Sequence, residues 1–515
     1  MGHSETSNKQ EGGGWKGRYF YVALILGVTF AFQGSRGIWE PDEGRYVNAV
    51  VEMLAHGGWL VPKLHGLVYL DKSAAVYWAI ASGVEIFGLN EWGVRFAHGL
   101  ALVATALLVG AWVRPALGSR GGWIAAAAYA TALFPVVGAN SITPDALLAL
   151  GTTAAFVAYW YYRSVQRLGE RYAWALALGL ALALGIFTKG TAALIFAAPI
   201  VLHLAWELGP WRMLRRLELW LVAAVALGLG CLWYLAVGRQ IPGALEYFFD
   251  NQVAGRLWNT TYQRNSEWWK PLKIYGIAVV LGALPWSLLW LRLALARRSS
   301  RWRELLAGDA LARFLLLASC FPLVVLSIAK SRLELYALPA MAPIIALTVV
   351  TLWRSGMTVR WRRWLLLSAL VLIGLKATSA ALPTERDSRR LAGELTALGV
   401  GLDACIDVLD DKAHGLAFYG FRDLSWHTTA PETYPYFEAP SLLVDDLGSL
   451  AQHCPGGLFI LSRPQHLEIG AQELAARGWS CARQRVNDRF DLAHCLPARD
   501  SAALTSGLPV ADSSA

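Results

Sequence analysis

Apolar runs of about twenty residues recur through the first three-quarters of the chain, and short basic turns cut them apart. Segments near 19–32, 93–113, 121–138, 145–162, 172–188, 190–206, 217–237, 272–295, 310–328, 335–353 and 364–382 each have the length and character of a bilayer-crossing helix. Inside a bilayer every backbone polar group must find its partner within its own segment. The predicted fold class is therefore mainly α: a polytopic helical membrane protein of about 11–13 spans. The range in the count comes from short apolar pieces such as SAAVYWAIASGVEIFGL. With 56% hydrophobic residues, 16% charged residues and 24 Trp in 515 positions, a soluble enzyme is excluded.

The formal charge of +9 is not a nucleic-acid signal. Its basic residues sit in turns such as RSVQRLGER, WRMLRRLE, ARRSSRWRE and RSGMTVRWRR, and an eleven-span count puts all of these on one side. By the positive-inside rule that side is the cytoplasm. Residues 1–18 then form a disordered cytoplasmic tail ending in Lys16 and Arg18. No small-residue cleavage site follows the first apolar run, which is expected to be retained as a span. The membrane domain covers 19–382, with external loops at 38–90 and 238–270. The composition changes at 383–515, where ACIDVLD and GGLFILS alternate with charged stretches. This part is expected to be a small external α/β domain with a frayed end. It holds Cys405, Cys454, Cys481 and Cys495, whose spacing is unlike a zinc site. In an oxidising compartment these permit one or two disulfides, and three pairings are open.

The stretch that asks for a function is residues 39–78, WEPDEGRYVNAVVEMLAHGGWLVPKLHGLVYLDKSAAVYW. Val47, Val50, Val51 and Leu54 recur at helical spacing from Glu40 to His56, and Pro41 suits the first helical position. Asp42 and Glu43 then fall in the first turn. There carboxylates also serve an ordinary purpose, since they favour the helix dipole and satisfy free N–H groups. The wider chain adds to that plain account. Arg45, Tyr46, Tyr69, Asp71, Lys72, Asp145, Lys189, Arg256, Lys330, Arg332 and Tyr336 all fall on the external side, several of them at span ends. Bases gathered against the positive-inside bias suit an anionic ligand such as phosphate, although each alone could snorkel or pair with one carboxylate. No Gly-rich phosphate loop is present.

EPDEGRYVNAVVEMLAHGGWLVPKLHGLVYLDKSAAVYW resembles the first external loop of the bacterial aminoarabinose transferases. These are grouped with the protein O-mannosyltransferases in the GT-C class of polyprenyl-phosphate-sugar-dependent glycosyltransferases. NSITPDALL, IFTKG, FFDNQVAGRL and AKSRLELYALPAMAPI follow in the same order. The resemblance implies a multi-pass enzyme of the bacterial inner membrane with a periplasmic C-terminal domain. It would move a sugar from an undecaprenyl-phosphate-type donor to a cell-envelope acceptor, lipid A-like or another glycan or lipid. By the same resemblance Asp42 matches the functional acid and Glu43 its acidic neighbour, and both are taken as catalytic candidates. Tyr46 and Tyr69 match cavity tyrosines, and Lys72 and Arg256 match phosphate-binding bases. Asp145, Lys189 and Tyr336 match residues lining the family's cavity, and Asp71 stands where the family commonly has Glu before the lysine. Two departures stand out. Ser73 and Ala74 replace a Pro-Pro turn. The acid of a divalent-metal site found in some members is shortened to Asp71, while DNQVAGR lacks that site's His. No cofactor is expected, and no metal is established by the sequence. The alternatives are a protein O-mannosyltransferase-like enzyme, a carrier-lipid binder without activity, and a transporter or flippase of lipid-linked sugars. A flippase would need ionisable residues deep within spans or paired repeats, and neither is evident.

Overall fold

The computed structural model describes residues 14–255, 265–295, 309–431, 434, 436–454 and 456–498. It divides into two compact units, each built from two stretches of chain: Met1–Gln33 with Arg95–Ser379, and Gly34–Val94 with Ala380–Ala515. The change of composition near residue 382 marks only part of this boundary. In space the first external loop groups with the tail rather than with the membrane domain.

The first unit is helical throughout. Among the described residues, six helices are long and apolar enough to cross a bilayer: Glu91–Ala130, Leu168–Lys189, Leu217–Gln240, Ala310–Ile328, Glu334–Arg354 and Trp361–Ala381. Gly14–Phe30 and Ala192–Leu208 are shorter apolar helices, and Pro144–Ser164 lies between them in the chain. Each of the eleven expected spans is thus met by a helix or helix pair, but one of them is not a straight rod. The expected spans 93–113 and 121–138 run into one 40-residue helical stretch, folded back at Gly118, where φ is 72° and only glycine is unstrained. The expected span 272–295 is broken, and its halves Leu272–Gly282 and Ser287–Leu293 meet at 91°. A hydropathy window averages over such a break and cannot register it. Residues 14–18, expected in the tail, already belong to the first helix.

Aromatic side chains fill the middle of this unit. Trp112 stacks on Phe156 with ring centroids 5.5 Å apart, and Phe314 meets both edge-on at 5.8 Å. The indole of buried Trp286 donates to the Ala128 carbonyl at 2.8 Å, so its one polar atom is satisfied. Lys376 is buried inside the last span. Its ammonium donates to the carbonyls of Val28 (3.3 Å) and Thr29 (2.7 Å) and to Gln33 Oε1 (3.0 Å). The free carbonyls at the end of the Gly14–Phe30 helix therefore hold a cation, as the helix dipole favours.

The second unit centres on a five-stranded sheet. Its strands are β3 (Ile406–Leu409), β4 (Leu424–His427), β5 (Leu458–Ser462), β6 (Trp479–Arg485) and β7 (Asp491–Pro497), following a short antiparallel hairpin of β1 (Lys63–Leu64) and β2 (Leu67–Val68). The order is β4-β3-β5-β7-β6. The first three strands are parallel and the last pairings antiparallel. β3, an interior strand, is buried along its whole length, as a strand covered on both faces must be. Helices Ser388–Ala397, Leu443–His453 and Pro464–Ala476 complete the α/β domain expected from the composition. Cys481 lies directly opposite Cys495 in the β6–β7 ladder, and they are joined in a disulfide. Cys405, just before β3, joins Cys454. Residues 499–515, expected to form a frayed end, lie outside the described residues.

Candidate active site

Within the second unit, the loop that the sequence singles out forms helix Asp42–His56, with Pro41 at the cap position rather than inside the first turn. Its start presents three carboxylates, and they have different surroundings. Glu40 folds back over the helix. Its Oε1 accepts from Ser388 Oγ at 3.0 Å and from the Gly415 amide at 2.6 Å. This explains the glycine of DEGRY, because a Cβ at Gly44 would sit 2.2 Å from that oxygen. Burial pushes the Glu40 carboxyl up to about 8, despite the lowering effect of these bonds and of Arg489 and Arg45 nearby. Glu43 is buried as well. It accepts two parallel bonds from Arg36, at 2.6 and 2.7 Å, and a third from the Trp39 amide at 3.0 Å.

Asp42 is the exception, with a side chain 53% exposed. It is paired with Arg45, one turn on, whose guanidinium also donates to the hydroxyls of Tyr69 (3.3 Å) and Tyr436 (3.0 Å). Tyr69 is buried, and burial raises its phenol well above the usual range, so it remains protonated. Tyr46 is buried with its ring 6.0 Å from that of Tyr77, and burial raises its phenol likewise. Lys72 folds onto its neighbour, donating to the Asp71 carbonyl at 3.0 Å and to the Asp71 carboxylate. The far side of the Asp42–His56 helix is fixed by Asn48, which donates to the His414 carbonyl at 3.1 Å. The His414 ring meets His65 at 2.8 Å, and burial lowers His65 to about 4 and His414 well below its ordinary value.

The first unit assembles a second set of expected residues. Asp145 stands in the first turn of Pro144–Ser164, behind a proline suited to that position. Lys189 ends the Leu168–Lys189 helix, and its ammonium lies 2.5 Å from Asp145 Oδ1 and 4.3 Å from the centroid of the Tyr336 ring. NSITPD, IFTKG and ELY therefore converge. Arg332 is occupied in holding the outer loop, donating to the carbonyls of Asn265 and Glu267 at 2.9 Å each. Lys330 is exposed. Arg256 lies outside the described residues. An apolar cavity of about 330 Å³ opens between the helices that carry Leu178, Ile200 and Ala226.

Among the described residues, one group of His, Cys, Asp or Glu side chains stands close enough to share a metal ion: Cys405, Asp423 and Cys454. Its two sulfurs are joined in a disulfide, and Asp71 belongs to no such group among the described residues. Arg45 and Tyr436 complete the surroundings of Asp42, and the sequence motifs assign a role to neither. Arg45 is one of the external bases, and its i, i+3 spacing from Asp42 is the signal for their pairing. Nothing local marks Tyr436.

Known proteins resemble this chain in sequence and in fold. Residues 71–261 match the family described as dolichyl-phosphate-mannose-protein mannosyltransferase. Undecaprenyl phosphate-alpha-4-amino-4-deoxy-L-arabinose arabinosyl transferase from Edwardsiella ictaluri is 33% identical over 330 residues, covering 63% of this chain and 57% of that protein. The enzyme of the same name from Pseudomonas savastanoi pv. phaseolicola is 34% identical over 335 residues, 63% of this chain and 58% of its own length. The chain thus matches somewhat more than half the length of these curated relatives. The structure of ArnT from Cupriavidus metallidurans bound to undecaprenyl phosphate superposes with a TM-score of 0.73 at 21% identity, over 93% of this chain and 98% of that one. Its apo state gives 0.74 over 95% and 99%. The chain is a multi-pass membrane protein that has the fold of ArnT and is aminoarabinose transferase-like and protein mannosyltransferase-like in sequence, as its motifs indicate.

Proposed function

We propose that this protein is an inner-membrane glycosyltransferase that moves a sugar from a polyprenyl-phosphate carrier to a cell-envelope acceptor on the periplasmic side. The observation that carries the reading is the contrast within one helix turn: Glu40 and Glu43 are buried and engaged, whereas Asp42 faces outward with Arg45 as its partner. A helix that needed only a favourable dipole would not require this arrangement. The names of the relatives, arabinosyl transferases acting with undecaprenyl phosphate-aminoarabinose, support the donor class.

The chemistry follows. An acceptor oxygen attacks the anomeric carbon, the bond from that carbon to the phosphate oxygen breaks, and polyprenyl phosphate leaves. A hydroxyl acceptor gives its proton to Asp42; a phosphate acceptor needs none removed, and Asp42 orients it or faces the positive charge growing on the sugar. Lys72 takes the departing phosphate, where a fixed cation stabilises the transition state more than the ground state. To do so Lys72 exchanges its contact with Asp71 for the phosphate. A single displacement inverts the anomeric centre. Apolar cavities such as the one beside Ile200 suit a prenyl tail. The positive-inside pattern supports an orientation with the N-terminal helix entering from the cytoplasm and the sheet domain outside.

The family match at 71–261 favours one second reading, a protein hydroxyl as acceptor. Purified protein supplied with undecaprenyl-phosphate sugars and either lipid A or peptide acceptors, with products read by mass spectrometry, separates the two. Asp42→Asn should lower turnover about 100-fold or more, the scale of a lost general base. Sugar movement across vesicles without a transferred product would show a flippase instead.

A further inference from the structure

We infer that Tyr436, supplied by the C-terminal part of the chain, is a positioning residue for Asp42 and acts through Arg45. The inference rests on the transferase reading above.

Arg45 is the hydrogen-bond partner of Asp42 among the described residues, so whatever holds Arg45 also holds Asp42. The guanidinium is only 11% exposed. A charge so far withdrawn from water needs its N–H groups matched by acceptors. Nε donates to the Pro41 carbonyl at 3.2 Å, within the same helix start. The two hydrogens of Nη1 meet two phenol oxygens, that of Tyr69 at 3.3 Å and that of Tyr436 at 3.0 Å. Nη2 is left to Asp42. Because the guanidinium is a rigid plane, fixing Nε and Nη1 also fixes the direction in which Nη2 offers its hydrogens. The shorter of the two phenol contacts comes from Tyr436, 391 residues away in sequence.

Tyr436 is itself held. Its ring meets that of Tyr69 edge-on at 5.4 Å and lies 5.9 Å from Trp426 on β4. Two residues further on, the Glu438 carboxylate accepts from the Val68 amide on β2. The segment is thus tied to the hairpin of the first loop on one side and to the sheet on the other. Tyr436 could have been a plain filler, for which a phenylalanine ring serves as well. The hydroxyl is what reaches Arg45, and it is therefore the hydroxyl that the test must remove.

Tyr436→Phe keeps the ring and deletes the oxygen. The full-length protein in lipid nanodiscs provides two independent readouts. The first is turnover with an undecaprenyl-phosphate sugar and the acceptor found active. It should fall about tenfold, the effect of losing one hydrogen bond to a charged group, with the donor KM unchanged. In an Asp42→Asn background the same change should cost nothing further, because a residue acting through Asp42 has no effect once Asp42 is gone. The second readout needs no activity: labelling of arginines by phenylglyoxal, mapped by mass spectrometry. Arg45 should label several times faster in Tyr436→Phe, while Arg422, 78% exposed, should label as before. Unchanged Arg45 labelling overturns the clamp. Faster labelling with wild-type turnover overturns its role in the reaction. If Asp42→Asn is inactive and Tyr436→Phe is fully active, the inference falls and the transferase reading stands. If Asp42→Asn turns over normally, Asp42 leaves the mechanism, and the labelling alone still judges whether Tyr436 holds Arg45.

Discussion

Arg36 and Glu43 are joined by two parallel hydrogen bonds of 2.6 and 2.7 Å, with both side chains about 95% buried. Glu43 also accepts the Trp39 amide, and Arg36 lies over the Trp39 ring at 4.2 Å. Both carboxylate oxygens are therefore engaged in fastening the chain that leads into the Asp42–His56 helix.

Glu43→Gln should accordingly act on stability. Removing one partner of a buried ion pair leaves the other uncompensated, at a cost of about 3–5 kcal/mol. Thermal unfolding of the purified protein should shift clearly downward, while turnover per folded molecule falls far less than in Asp42→Asn. A loss of turnover as deep as that of Asp42→Asn, with an unchanged melting temperature, would return Glu43 to the reaction itself.

Glu40 should make stability depend on pH. Its folded-state pKa of about 8 lies above the ordinary 4.5, so the folded form binds the proton more tightly than the unfolded form. This contribution is fully present below pH 4.5 and is lost as pH rises through 8. A tenfold difference in proton affinity corresponds to about 1.4 kcal/mol, so the change across that window is on the order of a few kcal/mol. Melting curves measured from mildly acidic to mildly alkaline pH should slope downward for wild type and flatten for Glu40→Gln, which cannot ionise. Parallel curves for the two proteins would assign the dependence to other groups.

Asp145 and Lys189 should behave as a coupled pair. Lys189→Met leaves a buried carboxylate without this cation, and Asp145→Asn leaves the cation beside the Tyr336 ring. Each single change should destabilise by about 3–5 kcal/mol, and the double change by less than the sum of the two. A double-mutant cycle from denaturation in detergent measures the coupling, and simple additivity would mean that the contact contributes nothing.

Lys376→Met should destabilise the first unit while leaving the surface charge around Asp42 untouched. It removes the donor to Val28, Thr29 and Gln33, and unpaired buried carbonyls cost about 1–3 kcal/mol each. Lys376→Arg, which keeps the charge, should recover part of the loss. Equal melting temperatures for Met and Lys would show that water satisfies those carbonyls.

Much of the fold was legible because a bilayer demands continuous apolar segments, and ACIDVLD and GGLFILS carry the signature of buried strands. They form β3 and β5, adjacent and parallel. The fold-back at Gly118 falls in the basic turn that separates the expected spans 93–113 and 121–138, whereas the right-angled break before Ser287 was not legible, since it is a change of backbone direction within uniformly apolar chain. Lys376 escaped notice because its partners are mostly backbone carbonyls, which no side-chain pattern advertises. At the site, sequence brought Asp42 and Glu43 forward as neighbours but could not say which faced inward. That depends on Arg36 and Glu40, whose own orientations come from packing. Asp145, Lys189 and Tyr336 could be gathered as span-end residues, yet their meeting depends on three separate helix ends. The cysteine pairing needed the register of β6 against β7.

The second unit draws on Gly34–Val94 and Ala380–Ala515, with the whole stretch Arg95–Ser379 between them. That order has a consequence in time. The ribosome makes the helix bearing Asp42 early, while Ser388, Gly415 and Tyr436, which receive Glu40 and Arg45, are made only after the intervening helices. Until then Glu40 has neither of its hydrogen bonds and Arg45 lacks one of its two phenols. A nascent chain halted within the membrane stretch therefore carries the sequence of the first loop without its native surroundings. The first loop, made early, thus takes up its native setting only after residues 388–436 have been made.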